Sequence, residues 1–404
     1  MNSTIPRLSP RAIGLYSVAS VGSGVFNAFN NAVMPLLLNG APSLVVNLLS
    51  NTRSIEGTVV QPVVGAWSDR IWTPLGRRRP FMLSAIPLCA LFMALTPLAP
   101  NLAVTSVCIF LFSLLYNIAS DPYNALQADI APPAQRPTLN AVANVVTLVA
   151  QAGLLLALAG QKHVPPILYS LVGVAVLVTF LVTILSTPER RDLVHLEPHH
   201  RLRDYVAALR GQRRAFRYLL ALFLYNIGVN TILVNLTRFA THVLHVSDGD
   251  ALKLFMILVL LTGLFVVPAA RLASRFGMTQ TLAAGLVLIA LAACLALIVQ
   301  SAAQVIPVLV IAGIGNAAYN ALSWPLLTTL IPQQRVGVFA GLKSAAESMS
   351  AFFSSFVAAG MVAIWGYRSI FLILLVSVAV SLSVLRTVGE TTPGDSTRDS
   401  TTLP

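Results

Sequence analysis

Charge is scarce in this chain: 10% of its 404 residues are Asp, Glu, Lys or Arg, whereas a soluble protein carries about 25%. So thin a supply cannot cover a surface that faces water, which excludes a soluble enzyme and a disordered chain alike. Cysteine is scarcer still. Cys89, Cys108 and Cys294 lie in apolar stretches without CxxC spacing, which excludes a disulfide scaffold and reads as small packing residues. Lysine occurs only at Lys162, Lys253 and Lys343, so nearly all of the 26 basic residues are arginine. No HExxH, GxSxG or Gly-rich phosphate loop is present, and no span holds paired catalytic acids. The expectation is therefore no enzyme, no cofactor and no metal.

Apolar sequence is what the chain has in quantity, at 56% of its residues. It comes in runs of roughly 20 residues, the length a helix needs to cross about 30 Å of hydrocarbon. Six runs fall at 11–38, 43–67, 80–99, 102–128, 137–160 and 165–187. Six more follow at 216–243, 250–270, 278–300, 304–330, 336–363 and 368–387. The first is too long for a cleaved leader and carries Asn27, Asn30 and Asn31, so it is expected to stay as a span. The fold class predicted is an all-α membrane protein with twelve transmembrane helices in two six-helix bundles.

The net charge of +12 would suggest a nucleic-acid partner in a soluble protein. Here it is an orientation signal, and no nucleic acid is expected. With the N-terminus in the cytoplasm, 20 basic residues fall inside and only Lys162, Lys253 and Arg368 outside. That split places both termini in the cytoplasm and suits a cell membrane, in particular a bacterial inner membrane, with the lipid bilayer as one partner. The polar stretch 188–215, with seven of the eight arginines that fall between 190 and 217, divides bundle 1–187 from bundle 216–388. Its His195, His199 and His200 have helical metal-ligand spacing but read as part of a solvated connector on an anionic lipid surface. The tail 389–404 reads as disordered.

The halves echo each other. Tyr123-Asn124-Ala125-Leu126 recurs as Tyr319-Asn320-Ala321-Leu322, and Pro62 with Ser68-Asp69 recurs as Pro268 with Ser274-Arg275. Two echoes in equivalent spans support an internal duplication.

Gln61-Pro62-Val63-Val64-Gly65-Ala66-Trp67-Ser68-Asp69-Arg70 leads to Gly76-Arg77-Arg78-Arg79-Pro80-Phe81 between spans two and three. Gly65 permits close helix approach, Asp69 is an anion at a helix end, and Gly76 allows a tight turn. This run resembles the signature loop of the major facilitator superfamily. Together with Asn117 through Asp129 in span four, it is similar to the glycoside–cation symporters and their sucrose-transporter branch. The resemblance implies a cytoplasmic gate, or latch, built from Asp69, Arg70, Arg77 and Arg78 with Asp129 as an acidic partner of the arginines and Gly65 and Gly76 shaping the loop; such a latch is expected to favour the outward-open state. It also implies alternating access and a proton-coupled symporter of a small neutral solute. Plant-type relatives pair the span-four acid with an arginine inside span five. This chain has only Arg136, at that span's mouth.

Six ionisable residues remain within spans: Arg53, Glu56, Asp121, Arg238, Lys343 and Glu347. Each costs at least about 2.5–3.5 kcal/mol at mid-bilayer without a partner or a wet cavity. Arg53/Glu56 and Lys343/Glu347 stand at i,i+3 and i,i+4, spacings for pairing on one helix. Such pairs are either structural or exchange partners as a cavity opens. Arg238 lies about two turns from the outer end, within reach of snorkelling. Asp121 has no base one turn away in sequence. Asp121, Glu56 and Glu347 are the candidate proton carriers.

Polar stripes lie on the same helices and are expected to line the cavity. They comprise Asn27 and Asn31, Asn117 and Asn124, Asn144 and Gln151, Asn235, and Asn316 and Asn320, beside Arg53, Arg238 and Lys343. Trp324 is the one tryptophan placed near them, with Tyr123, Tyr225 and Tyr319 as alternative sugar platforms. So polar and weakly charged a lining suits a sugar or glycoside, handled by a monomer. Proton-coupled efflux of drugs or metabolites, and a non-transporting sensor, are the competing readings.

Overall fold

The computed structural model describes residues 7–38, 40–52, 72–132, 135–187, 189, 212–331 and 336–388. The first half contains α1 (Pro10–Leu37), α2 (Ser43–Ser50), α3 (Arg79–Leu95), α4 (Leu102–Ile130), α5 (Arg136–Leu158) and α6 (Leu168–Ser186). The second contains α7 (Arg213–Val243), α8 (Asp248–Phe276), α9 (Met278–Ile298), α10 (Ala302–Thr329), α11 (Val336–Trp365) and α12 (Ser369–Arg386). Eleven of them are long and apolar enough to cross a membrane. The other, α2, lies at the start of the second expected span; residues 53–71 lie outside the described set. Helix α8 runs past its expected end at 270, because Leu272, Ala273 and Phe276 continue the apolar pattern.

Helix starts follow local chemistry. Ser9 caps α1, its hydroxyl accepting from the Ala12 N–H at 3.2 Å, with Pro10 in the first turn. Asn101 caps α4 through the Val104 N–H at 3.0 Å. Ser247 caps α8, and Asp248 and Asp250 favour that positive helix end. Proline lies inside α3, α4, α8 and α10 (Pro87, Pro122, Pro268, Pro307 and Pro325), as membrane helices tolerate more often than soluble ones. Leu91, Val107, Val149, Leu171, Leu264, Ile298 and Val376 stay exposed on the outer faces, as a lipid-facing girdle requires.

Packing repeats between the halves. In the first, α1 packs on α5 and α6, and α3 on α4 and α6; in the second, α7 packs on α11 and α12, and α9 on α10 and α12. Of the contacts across the halves, α2 with α11 and α5 with α8 exchange under the same two-fold relation, while α1 meets α7. The duplication is thus visible in the architecture. The Tyr-Asn-Ala-Leu echo is shifted within it. Each tyrosine stacks on a tyrosine of the half's first helix, Tyr123 on Tyr16 at 4.8 Å and Tyr319 on Tyr225 at 4.1 Å. The equivalent hydroxyl bonds are instead Tyr16 to the Tyr123 carbonyl and Tyr218 to the Ser323 carbonyl. Tyr319 therefore sits about one turn away from the true counterpart of Tyr123.

The molecule has an arginine-rich end, where Arg77–Arg79, Arg136, Arg213, Arg275 and Arg386 lie, and an arginine-poor end with Lys162, Lys253 and Arg368. Arg368 donates to the Leu297 and Val299 carbonyls and so closes the end of α9.

Candidate functional site

Between the halves lies a cavity of about 350 Å³. From the first half, α1 supplies Phe26, Asn27, Asn30 and Asn31, and α4 supplies Ser113, Tyr116 and Asn117. The end of α2 adds Ser50, Asn51 and Thr52. From the second half, α7 supplies Asn226 and Asn230, and α11 supplies Ser344, Glu347 and Ser348. Carboxamides and hydroxyls dominate this wall, and among the described residues Glu347 is its one charged member.

Helix α1 widens here into a π turn, Phe29–Val33, next to Pro35, which has no N–H to offer the Asn31 carbonyl. The wide turn gathers Asn27, Asn30 and Asn31 on the cavity, and Asn30 donates to the Ser50 carbonyl at 2.9 Å. Phe26 stacks on Tyr116 at 3.6 Å and closes the wall behind them.

In the second half three helices converge on Glu347. Its Oε1 accepts from Lys343 Nζ and, at 3.0 Å, from the Tyr319 hydroxyl. Asn226 donates to that hydroxyl at 2.7 Å, and the stacked Tyr225 donates to Asn316 Oδ1 at 2.6 Å. In the first half, among the described residues, the tyrosine pair meets a hydroxyl instead: Tyr123 shares a hydrogen bond with Ser20 at 2.7 Å.

Hydrogen bonds between the halves gather at the arginine-poor end. Asn47 and Asn235, both fully buried, exchange carboxamide bonds, the shorter 2.8 Å long. Asn51 donates to Ser355, Ser355 to the Asn47 carbonyl, and Thr237 to the Ala32 carbonyl. Arg238 does not snorkel. It is 3% exposed, donates to the Ala41 carbonyl at 3.4 Å and lies 5.4 Å above the Tyr367 ring, a cation–π geometry. Burial pushes the Tyr367 hydroxyl above its usual range and Arg238 opposes that rise. Opposite, the loop after α5 is strapped to the start of α8. Gly249 N donates to the Gln161 carbonyl at 2.9 Å, and Val164 N to Asp248 Oδ2 at 3.1 Å. Asn235→Ala is expected to leave the buried Asn47 Oδ1 without its donor, at about 1–3 kcal/mol, while Asn47 Nδ2 keeps the Ser43 carbonyl. Faster thiol labelling of a Ser43→Cys reporter would register the loosened seam.

At the arginine-rich end, Arg77 Nη2 lies 2.7 Å from Asp129 Oδ1 and Arg78 Nε 3.4 Å from Oδ2. Thr73 and Gly76 exchange backbone hydrogen bonds in a tight turn, with Gly76 at φ +112°, a region that favours glycine. Glu189, just after α6, seats its carboxylate on the backbone N–H groups of Arg77, Arg78 and Arg79, at 2.7–2.9 Å. This is an anion on a helix N-terminus.

The expected residues therefore divide. Asn27, Asn31, Asn117 and Glu347 line the cavity, with Lys343 behind Glu347. Asn235 and Arg238 belong to the seam instead, because the halves close over them. Asn124, Asn144, Asn320 and Trp324 are exposed toward the arginine-rich end, and Asn316 is held by Tyr225. Gln151 and Asp121 are half-buried outside the cavity wall. Arg53, Glu56, Gly65, Asp69 and Arg70 lie outside the described residues. Sequence reasoning missed Asn51, Asn226, Asn230, Ser344 and Ser348, although Asn226/Asn230 and Ser344/Ser348 carry the i,i+4 signal. It also missed Glu189, whose partners are backbone amides and leave no trace in side-chain patterns. Among the described residues no cluster of His, Cys, Asp and Glu could hold a metal ion.

Comparison with known proteins agrees with this architecture. The human proton-associated sugar transporter A is 30% identical over 187 residues, which cover 39% of this chain and 25% of that protein. The sucrose transport protein SUC3 of Arabidopsis thaliana is 31% identical over 110 residues, 22% of this chain and 18% of that one. The matched stretches thus span about a quarter or less of these relatives. In fold, the chain resembles the nucleoside transporter NupG, with a TM-score of 0.73 at 11% identity, covering 94% of this chain and 98% of that one. It likewise resembles a bacterial homologue of the lysosomal transporter Spinster, with a TM-score of 0.73 at 13% identity, covering 95% and 98%. The family model for MFS/sugar transport proteins matches residues 41–388. The chain is a multi-pass membrane protein and belongs to the MFS/sugar transport protein family.

Proposed function

We propose that this transporter carries a neutral sugar or glycoside into the cell together with a proton, by alternating access. The observation that carries the reading is the cavity between the halves, walled by asparagine carboxamides and serine hydroxyls. Such groups exchange hydrogen bonds with a polyhydroxyl solute and offer little to a lipophilic drug. Relatives named for proton-associated sugar and sucrose transport support the same class. So does the general alpha-glucoside permease of Schizosaccharomyces pombe, 41% identical over 59 residues, 15% of this chain and 10% of that one.

In this reading residues 1–187 and 216–388 are the two rocking units, and the arginine-rich end is cytoplasmic. The structure is then the inward-facing state: the seam at Asn47, Asn235 and Asp248 is shut, while Asn124, Asn144, Asn320 and Trp324 are exposed on the cytoplasmic side. Asp129 with Arg77 and Arg78 joins two elements of the same half, so this part of the expected latch stays formed while the cytoplasmic side is open. The test is uptake of labelled mono- and disaccharides by proteoliposomes under an imposed pH gradient. Accumulation of at least one sugar above its outside concentration, abolished by a protonophore, is expected. Uptake indifferent to the gradient overturns proton coupling; extrusion of lipophilic cations in place of sugar overturns the substrate class.

A further inference from the structure

We propose that the Lys343–Glu347 pair is the coupling element, with Glu347 carrying the proton and Lys343 forbidding an empty protonated carrier. The inference rests on the reading of the chain as a proton-coupled sugar transporter and assigns the residues that perform the coupling. Glu347 is the charged residue that the described cavity wall presents to a solute. Its side chain is 35% exposed, so water reaches it from the cavity, whereas Lys343 is at 16%. The groups facing it are Lys343 on its own helix, Tyr319 on α10 and Asn226 on α7, with Tyr225 stacked behind Tyr319. Tyr218 is the further titratable group of α7 that feels its charge.

The electrostatics then dictate a rule. With Glu347 ionised and Lys343 charged, the pair sums to zero and the empty carrier reorients with no net charge in its low-dielectric centre. A proton from water forms an O–H bond on the Glu347 carboxylate, and Lys343, which keeps its three N–H bonds, becomes an uncompensated cation. An uncompensated buried charge is strongly unfavourable, so this empty form does not cross. A bound sugar changes the balance: its hydroxyl oxygens accept from the Lys343 ammonium, and its hydroxyls take over bonds from Tyr319 and Asn226. The loaded carrier crosses with sugar and one proton. On the other side the proton returns to water, the sugar leaves and the Lys343–Glu347 bond reforms.

Removing the cation inverts the rule. In Lys343→Met the protonated carrier is neutral and crosses, but the deprotonated carrier holds an uncompensated carboxylate and does not return. Proteoliposomes of Lys343→Met are expected to lose gradient-driven sugar accumulation at least about tenfold while keeping exchange of labelled for unlabelled sugar at acidic pH. Glu347→Gln leaves Lys343 uncompensated in the empty form, so it too is expected to lose accumulation and keep exchange, now independent of pH. The double variant Lys343→Met/Glu347→Gln has neither charge, so downhill uptake is expected to return without accumulation, which separates the rule from general damage to the fold. A single variant that accumulates sugar like wild type, or a double variant with downhill uptake no higher than the single variants, overturns the proposal. Without sugar, labelling of a Ser43→Cys reporter is expected to slow as the pH falls in the otherwise wild-type protein and to ignore pH in the double variant. A wild type that moves none of the tested sugars, beside this pH-dependent labelling, defeats the sugar reading alone.

Discussion

Gly249→Val is expected to reduce transport by about ten- to a hundredfold while leaving the helices intact. A Cβ at Gly249 would lie 2.5 Å from the Gln161 carbonyl oxygen and 2.7 Å from that of Ala159. Both obstacles are backbone atoms in the loop that closes onto α8, so no side-chain rotation relieves them. Overpacking of this kind costs about 1–3 kcal/mol, and all of it falls on the state in which the loop after α5 and the start of α8 meet. The carrier should then dwell in the alternate conformation, open at the arginine-poor end. Labelling of a Ser43→Cys reporter from that side would rise as sugar uptake falls. Unchanged uptake in Gly249→Val would show that these two loops never need to meet during the cycle.

Asp129→Ala is expected to lower stability by roughly 3–5 kcal/mol, the cost of stripping a buried ion pair of one partner. The carboxylate faces two guanidinium groups, and the side chains of Asp129, Arg77 and Arg78 are 9%, 6% and 9% exposed. Detergent-solubilised protein should melt on the order of 10 °C lower. Asp129→Asn keeps the shape and the acceptor oxygen, so it should fall between wild type and alanine. A double-mutant cycle with Arg77→Met would isolate the pairwise part. A melting point within a degree of wild type would mean that the Glu189 carboxylate, seated on the neighbouring amides, holds this corner without Asp129.

The fold was legible because a bilayer demands so much of a sequence. Twenty-residue apolar runs and a lopsided arginine distribution are direct answers to solvent and potential, and the helices from Pro10 to Arg386 fall where those runs lie. The candidate site was legible only in part. Asn27, Asn31 and Asn117 declare themselves because a carboxamide inside a span needs a reason, and the cavity is that reason. Asn235 declared itself equally and turned out to serve the seam. A stripe gives the face of a helix but not the height at which the halves touch. Arg238 taught the same lesson, because closure of the loop at Ala41 buries a cation that helix position alone leaves near the surface. The wide turn in α1 and the Tyr225–Tyr319 stack depend on packing between distant segments, which no local pattern encodes.

The two-fold relation between the cross-half contacts sets the arithmetic of opening. Helix α2 against α11 and α5 against α8 are copies of one another placed on opposite sides of the cavity. Rigid halves cannot part on one side without straining the other, so both must release in one event. Free energies of well-separated contacts add, and their Boltzmann factors therefore multiply. Easing each copy by about 1.4 kcal/mol, roughly tenfold apiece, would favour the open form by about a hundredfold. Modest substitutions at Asn47 and Gly249 together should therefore tip the carrier about as far as a drastic change at either alone.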